Sequence, residues 1–186
     1  LKKNLLKKKW GPLYMEIYLD RLQAADAEAL YQFECENRAF FEQMVPARGE
    51  DYYIPEMFNK RHEALLEEQA QGGSYFYLIK GKDHSILGRI NLVDIDKSHT
   101  AAHVGYRVGQ KHTGKGIANQ ALKLLIETVT AEGIKQIQAK TTANNIASQK
   151  VLEKNGFKRI ATGSETFEMN GQQLHFIYYA LTSLSG

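Results

Sequence analysis

Cysteine is nearly missing. Cys35 stands alone among 186 residues, so no internal disulfide can form, and no His or second Cys lies near it at the spacing of metal ligands. Disulfide-stapled and zinc-ribbon classes are excluded, no metal is expected, and a reducing cytoplasm is the expected compartment. Long apolar runs are missing too. No stretch approaches the roughly 18 residues of a membrane span, and the first residues lack the apolar core of a secretory signal, so no membrane partner is expected. Internal repeats and low-complexity segments are also absent. What is present is a 43% hydrophobic composition, enough for one sizeable core and a single domain.

The net charge of +3 suggests nucleic acid until its distribution is read. Lys2, Lys3, Lys7, Lys8 and Lys9 all fall within residues 1–14, which contain no acid; without them the chain has 19 basic against 21 acidic residues. The excess describes a tail, not a binding face, and no direct nucleic-acid binding is expected. Met15 opens a plausible strand, so residues 1–14 read as a basic extension and 15–186 as one domain.

Periodicity places elements in the order βααβββαβαββ. A strand over 14–22 precedes a helix opened by Asp26, a long irregular stretch of polar and aromatic residues runs from Glu36 to Tyr53, and a helix over 56–71 stops at Gly72-Gly73. Strands over 74–80, 86–95 and 100–108 form a meander. A helix with Ile117, Ala121, Leu124, Leu125 and Thr128 on one face ends near Gly133; a strand over 134–142, a short helix over 148–154 and a hairpin turning at Asn170-Gly171 complete the chain. A meander followed by βαβ alternation predicts a mixed α/β sheet with helices on both faces and a ligand site where strand neighbours diverge.

Two segments carry chemistry. The strand ending Tyr106-Arg107-Val108 leads through Thr113-Gly114-Lys115-Gly116 directly into the helix beginning Ile117-Ala118, which puts unpaired N–H groups and a positive helix end where a diphosphate can sit. Gly109-x-x-x-x-Gly114-Lys115 also approaches a nucleotide P-loop, but Gly116 stands where a magnesium-binding hydroxyl is needed and the next strand ends without Asp. Within the strand, Gly105 marks a bulge or a close approach that frees donors near Tyr106 to Val108 for a thioester oxygen. The second segment, Asn144 to Phe157, reads as a helix capped by Asn145 and closed at Gly156; Asn144, Asn145 and Ser148 are candidate contacts for an amide-rich cofactor arm.

Together these segments resemble the GNAT superfamily of N-acetyltransferases. Thr113-x-x-Gly116-x-Ala118 is similar to its diphosphate signature, with Thr113 in place of Gln or Arg, and Asn145-x-x-Ser148 through Gly156-Phe157 is similar to its second landmark. Glu36-Asn37-Arg38-x-Phe40, Pro46-x-Arg48, Gly105-Tyr106-x-Val108-Gly109 and Asn170-Gly171-Gln172 look like the ribosomal-protein alanine N-acetyltransferases of the RimJ/RimL type. The resemblance implies a mostly antiparallel sheet of about seven strands, splayed at its centre and flanked by about four helices. It implies acetyl-CoA as co-substrate and direct attack by an amine, either a protein N-terminus or a small amine, on a monomer or homodimer.

Leu152 occupies the place of a tyrosine acid in many members, which moves that role towards Ser148 or solvent. His103, sharing a strand face with Gly105, is the expected base. Asn37, Arg38, Phe41 and Arg48, with Asn91 and Tyr178, are the expected acceptor contacts. A non-catalytic acetyl-CoA-binding module is the competing class.

Overall fold

The computed structural model describes residues 15–182, apart from 97 and 99. The chain enters through β1 (Ile17–Arg21), turns once in 3-10 geometry, and forms α1 (Ala27–Glu36), α2 (Arg38–Met44) and α3 (Pro55–Gln71). The meander is β2 (Tyr75–Gly81), β3 (Ile86–Asp96) and β4 (Ala101–Val108), followed by α4 (Ile117–Ala131), β5 (Gln136–Thr142) and α5 (Ile146–Lys154). It closes with β6 (Lys158–Thr162), β7 (Phe167–Met169), β8 (Gln172–Leu174) and β9 (Phe176–Thr182). The basic segment 1–14 lies outside the described residues.

Seven strands form one sheet in the order β1-β2-β3-β4-β5-β9-β6, antiparallel everywhere except between β4 and β5. Alternation along the strands gives each face its own core. On one face Ile79, Ile90, Leu92 and Val104 pack with Ile117, Ala121, Leu125 and Val129 of α4 and Leu152 of α5. On the other, Phe76 and Leu78 pack with Leu30, Phe33, Phe41, Tyr52 and Phe58 of the α1–α3 region. Each large apolar side chain buried this way contributes roughly 1.5–3 kcal/mol.

Three expectations are corrected. The stretch from Glu36 to Tyr53 is not wholly irregular: it holds α2 and a 3-10 turn at Glu50–Tyr53. Burial of Phe41 and Tyr52 and the Arg38–Glu42 pair at 2.9 Å order this segment. The β3–β4 register is unbroken at Gly105, which pairs with Asn91; the shift falls between Val93 and Asp96, where Asp94 has φ +52°. The terminal hairpin divides in two: β6 and β9 join the main sheet, while β7 and β8 form a separate ribbon whose Asn170 amide donates to Glu42 O at 3.3 Å in α2.

β4 and β5 run parallel for only three residue pairs, Ala101–Gln136 to His103–Gln138, whereas β5 pairs with β9 over its whole length. Beyond His103 the two central strands part. The sheet thus opens at its middle, beside the end of β4 that delivers the chain to α4.

Candidate active site

A cavity of about 360 Å³ fills the opening, walled by Val104–Arg107 of β4, Ala139–Thr142 of β5, and Asn145, Ser148 and Leu152 of α5. Because the facing edges of β4 and β5 have lost each other as partners, every second backbone N–H and C=O along them is left without a sheet bond. Gly105 sits in this wall, and a Cβ built there meets nothing within 4 Å. Any larger residue would therefore project into the open space.

At the end of β4 the chain makes a 3-10 turn at Gln110–His112 and then passes Gly114 and Gly116 at φ +72° and +75° before α4 begins. Side-chain-bearing residues rarely adopt these angles, so the two glycines permit the tight entry. The first bond of the helix runs from Gln120 N–H to Gly116 O; among the described residues the N–H groups of Gly114 through Asn119 have no backbone acceptor. With the positive end of a fifteen-residue helix behind them, they suit a diphosphate. Thr113 directs its hydroxyl back to Gln110 O at 2.9 Å, leaving the cradle to backbone amides and the exposed Lys115.

Across the opening, Asn145 caps α5 by accepting from Ser148 N–H at 3.1 Å. The Tyr106 hydroxyl spans from β4 to α5 and lies 3.1 Å from both Ser148 O and Ser148 Oγ. Burial pushes the Tyr106 phenol up to about 12, although its bond to Ser148 pulls the other way. It stays protonated and available as a donor at neutral pH.

The remaining side of the cavity is built on buried charge. Glu34 of α1 is fully buried and receives Arg89 of β3 at 2.8 Å and Arg107 of β4 at 3.2 Å. Burial alone would raise the Glu34 carboxyl, but Arg89, Arg107 and Arg48 outweigh it and hold the group below its ordinary range. Burial pushes Arg107 down to about 10 against the pull of Glu34, with Arg48 and Arg89 adding to the fall. A second cavity, also about 360 Å³, lies between α1, α3 and the sheet and shares Arg48, Arg89 and Asn91 with the first. Three buried polar atoms on its wall, Arg89 Nε, Asn91 Oδ1 and His62 Nδ1, have no partner among the described residues.

Of the residues singled out in the sequence, Arg48, Asn91, Tyr106, Arg107, Asn145 and Ser148 meet in the first cavity, and Thr113 to Ala118 form the adjoining loop and helix start. Val108 packs on the α4-side core. Others stand elsewhere. His103 shares the Gly105 face, but its side chain is 52% exposed, 3.7 Å from Asp94, and outside the cavity wall. The Asn144 carboxamide accepts from Thr142 Oγ1 at 2.8 Å. Asn37 is committed internally, donating to Phe33 O at 2.9 Å and accepting from Gln110 N–H at 2.8 Å. Arg38 is engaged by Glu42 and Glu50, Phe41 is buried beneath Arg107, and Tyr178 lies on β9 outside the wall, where Phe176 lines it instead. Glu34, Arg89 and Lys140 were not found from sequence. A signal existed, for Arg89 and Asn91 alternate with the buried Ile90 and Leu92 along the strand.

The acetyltransferase (GNAT) domain family matches residues 16–158. Over 158 residues the chain is 32% identical to the probable N-acetyltransferase YjcK of Bacillus subtilis, covering 83% of this chain and 87% of that one. Over 161 residues it is 29% identical to the ribosomal protein uS5-alanine N-acetyltransferase of Escherichia coli, covering 85% and 83%. Among solved structures, the ribosomal L7/L12 acetyltransferase RimL in complex with coenzyme A superposes with a TM-score of 0.84 at 22% identity, covering 94% of this chain and 98% of that one. Family match, split sheet and amide cradle agree: the chain belongs to the GNAT family and is an N-acetyltransferase that uses acetyl-CoA as its co-substrate.

Proposed function

We propose that the acceptor is the N-terminal α-amine of a protein; the Escherichia coli relative is named as a ribosomal protein uS5-alanine N-acetyltransferase and RimL as an α-N-protein acetyltransferase. One observation carries the reading: the titratable side chains on the wall of the first cavity are Arg48, Arg89, Arg107, Lys140 and the Tyr106 phenol, with no Asp, Glu or His among them. An ammonium arriving there meets no side-chain base, and the surrounding cations favour its neutral form. A peptide α-amine, with a pKa of roughly 8, is already partly neutral at physiological pH; a lysine amine at roughly 10.4 is not.

In this reading the backbone donors of Tyr106 to Val108 stabilise negative charge developing on the thioester oxygen. The N–H groups from Gly114 to Ala118 hold the diphosphate, and the Asn145 carboxamide faces the amide-rich arm. Ser148 Oγ, oriented by Tyr106, donates to the departing sulfur. A phenol near 12 opposite a thiol near 8.5 is a gap of about 5 kcal/mol against full transfer, so Tyr106 contributes a hydrogen bond, and the proton that ends on sulfur comes from the attacking amine. Solvent takes the first proton from the ammonium. His103→Ala should then leave kcat/KM and its pH profile within about twofold of the parent; loss of the acid limb would restore His103 as the base.

The test is calorimetry with acetyl-CoA, followed by coenzyme A release on peptides beginning with Ala, Ser or Met. An N-blocked lysine peptide and a polyamine serve as competitors. Preference for either competitor, or failure to bind acetyl-CoA, would overturn the proposal.

A further inference from the structure

We propose that the acceptor carries a carboxylate close to its reacting amine and that Arg48 binds it where the two cavities meet; this rests on the α-amine reading above. The first cavity is lined by Arg48, Arg89, Arg107 and Lys140, and the second by Arg48, Arg61, Arg89 and His62. Among the described residues neither wall contains an Asp or Glu. The nearby buried carboxylate, Glu34, is already shared between Arg89 and Arg107. Asp51 answers Arg61 at 3.0 Å, and Lys140 lies over the Phe176 ring.

Arg48 is different. Its guanidinium stacks 4.5 Å from the Tyr52 ring centroid, and among the described residues no carboxylate lies within bonding distance of it, although its charge reaches Glu34. Pinning α1 to the sheet explains Glu34, Arg89 and Arg107, but not a third guanidinium placed beside a cluster with one negative charge. Five N–H donors on a planar group stacked against an aromatic ring form a receptor for a carboxylate. The unpartnered Arg89 Nε, on a residue 4% exposed, adds a second donor at the same junction. The diphosphate of the co-substrate is not the anion in question, because no residue of the Thr113–Ala118 cradle lines either cavity. Polycationic acceptors meet like charge throughout.

The experiment is calorimetry on the full chain loaded with coenzyme A, using Ala-Glu-Gly-Tyr amide, Ala-Gln-Gly-Tyr amide, Ala-Lys-Gly-Tyr amide and the dipeptide Ala-Gln with a free carboxylate. We expect the Glu peptide to bind at least about tenfold more tightly than the Gln peptide, with the Lys peptide weakest. Arg48→Gln should reduce the Glu-to-Gln ratio below about threefold with the thermal midpoint held, and Arg48→Lys should restore part of it. Tighter binding of the free dipeptide than of the Glu peptide assigns the carboxylate to a small acceptor, and the reverse order to a polypeptide side chain; both support the assignment. Equal binding of Glu and Gln peptides, tighter binding of the Lys peptide, no binding of any, or an unchanged ratio in Arg48→Gln overturns it. Coenzyme A release from acetyl-CoA is read separately: a Glu preference in binding with no acetylation of any peptide would defeat the α-amine reading and leave this one standing.

Discussion

The two sides of the central cavity are made from different materials. Toward α4 and α5 the site is backbone: glycines at positive φ, unsatisfied amides at a helix start, an asparagine cap and the open edges of β4 and β5. Toward α1–α3 it is side chains, with Glu34, Arg89 and Arg107 drawn from three elements and Arg48 from the loop after α2. Backbone sites depend on local conformation and tolerate many side chains. Buried charges depend on distant partners and tolerate few changes.

The largest expected effect lies on the charged side. Glu34→Gln leaves Arg89 and Arg107 without their carboxylate and should cost about 3–5 kcal/mol in denaturant unfolding. The sign with pH follows from the lowered Glu34 carboxyl: its contribution is complete above the unfolded carboxylate range and disappears as pH falls through the depressed folded value. The parent should therefore lose stability on acidification more steeply than Glu34→Gln, and parallel acid limbs would break the contrast.

On the backbone side the effect should be smaller in stability and larger in binding. Gly116→Val forces a β-branched residue to φ +75° and should cost roughly 1–2 kcal/mol. It should also raise the acetyl-CoA dissociation constant at least about tenfold by calorimetry, because the cradle is the distorted part. Unchanged binding would show that the cradle is not where the diphosphate sits. Smallest is Tyr106→Phe, which removes one hydroxyl at the boundary: kcat should fall about tenfold with KM held, since the bond to Ser148 matters as charge reaches sulfur. A rise in KM alone would make Tyr106 a packing residue.

This contrast also explains what was legible in the sequence. Gly114, Gly116, Asn145 and Gly156 announce themselves because turn and cap chemistry is local, and the strands from β1 to β5 follow from period and turn signals. The Glu34–Arg89–Arg107 cluster joins residues up to 73 positions apart, which no spacing rule reports. Gly105 stands where the sheet opens, but not as a bulge. Its register is regular, and the divergence arises where β4 and β5 stop pairing, a property of two strands rather than one residue. His103 shared the right face, but a shared face does not fix distance from the cavity. The irregular reading of Glu36 to Tyr53 failed because long-range burial of Phe41 and Tyr52 overrides a weak local helical signal.

Asn37 connects the two kinds of construction. Its carboxamide closes the last turn of α1 through Phe33 O and holds the Gln110 N–H that opens the connector to α4. The α1–α3 side of the cavity and the loop that opens α4 therefore share one clasp and are not separable modules. A chimera that imports another protein's first two helices to change acceptor choice must import an asparagine at this position, or the loop loses the anchor from which its conformation is set.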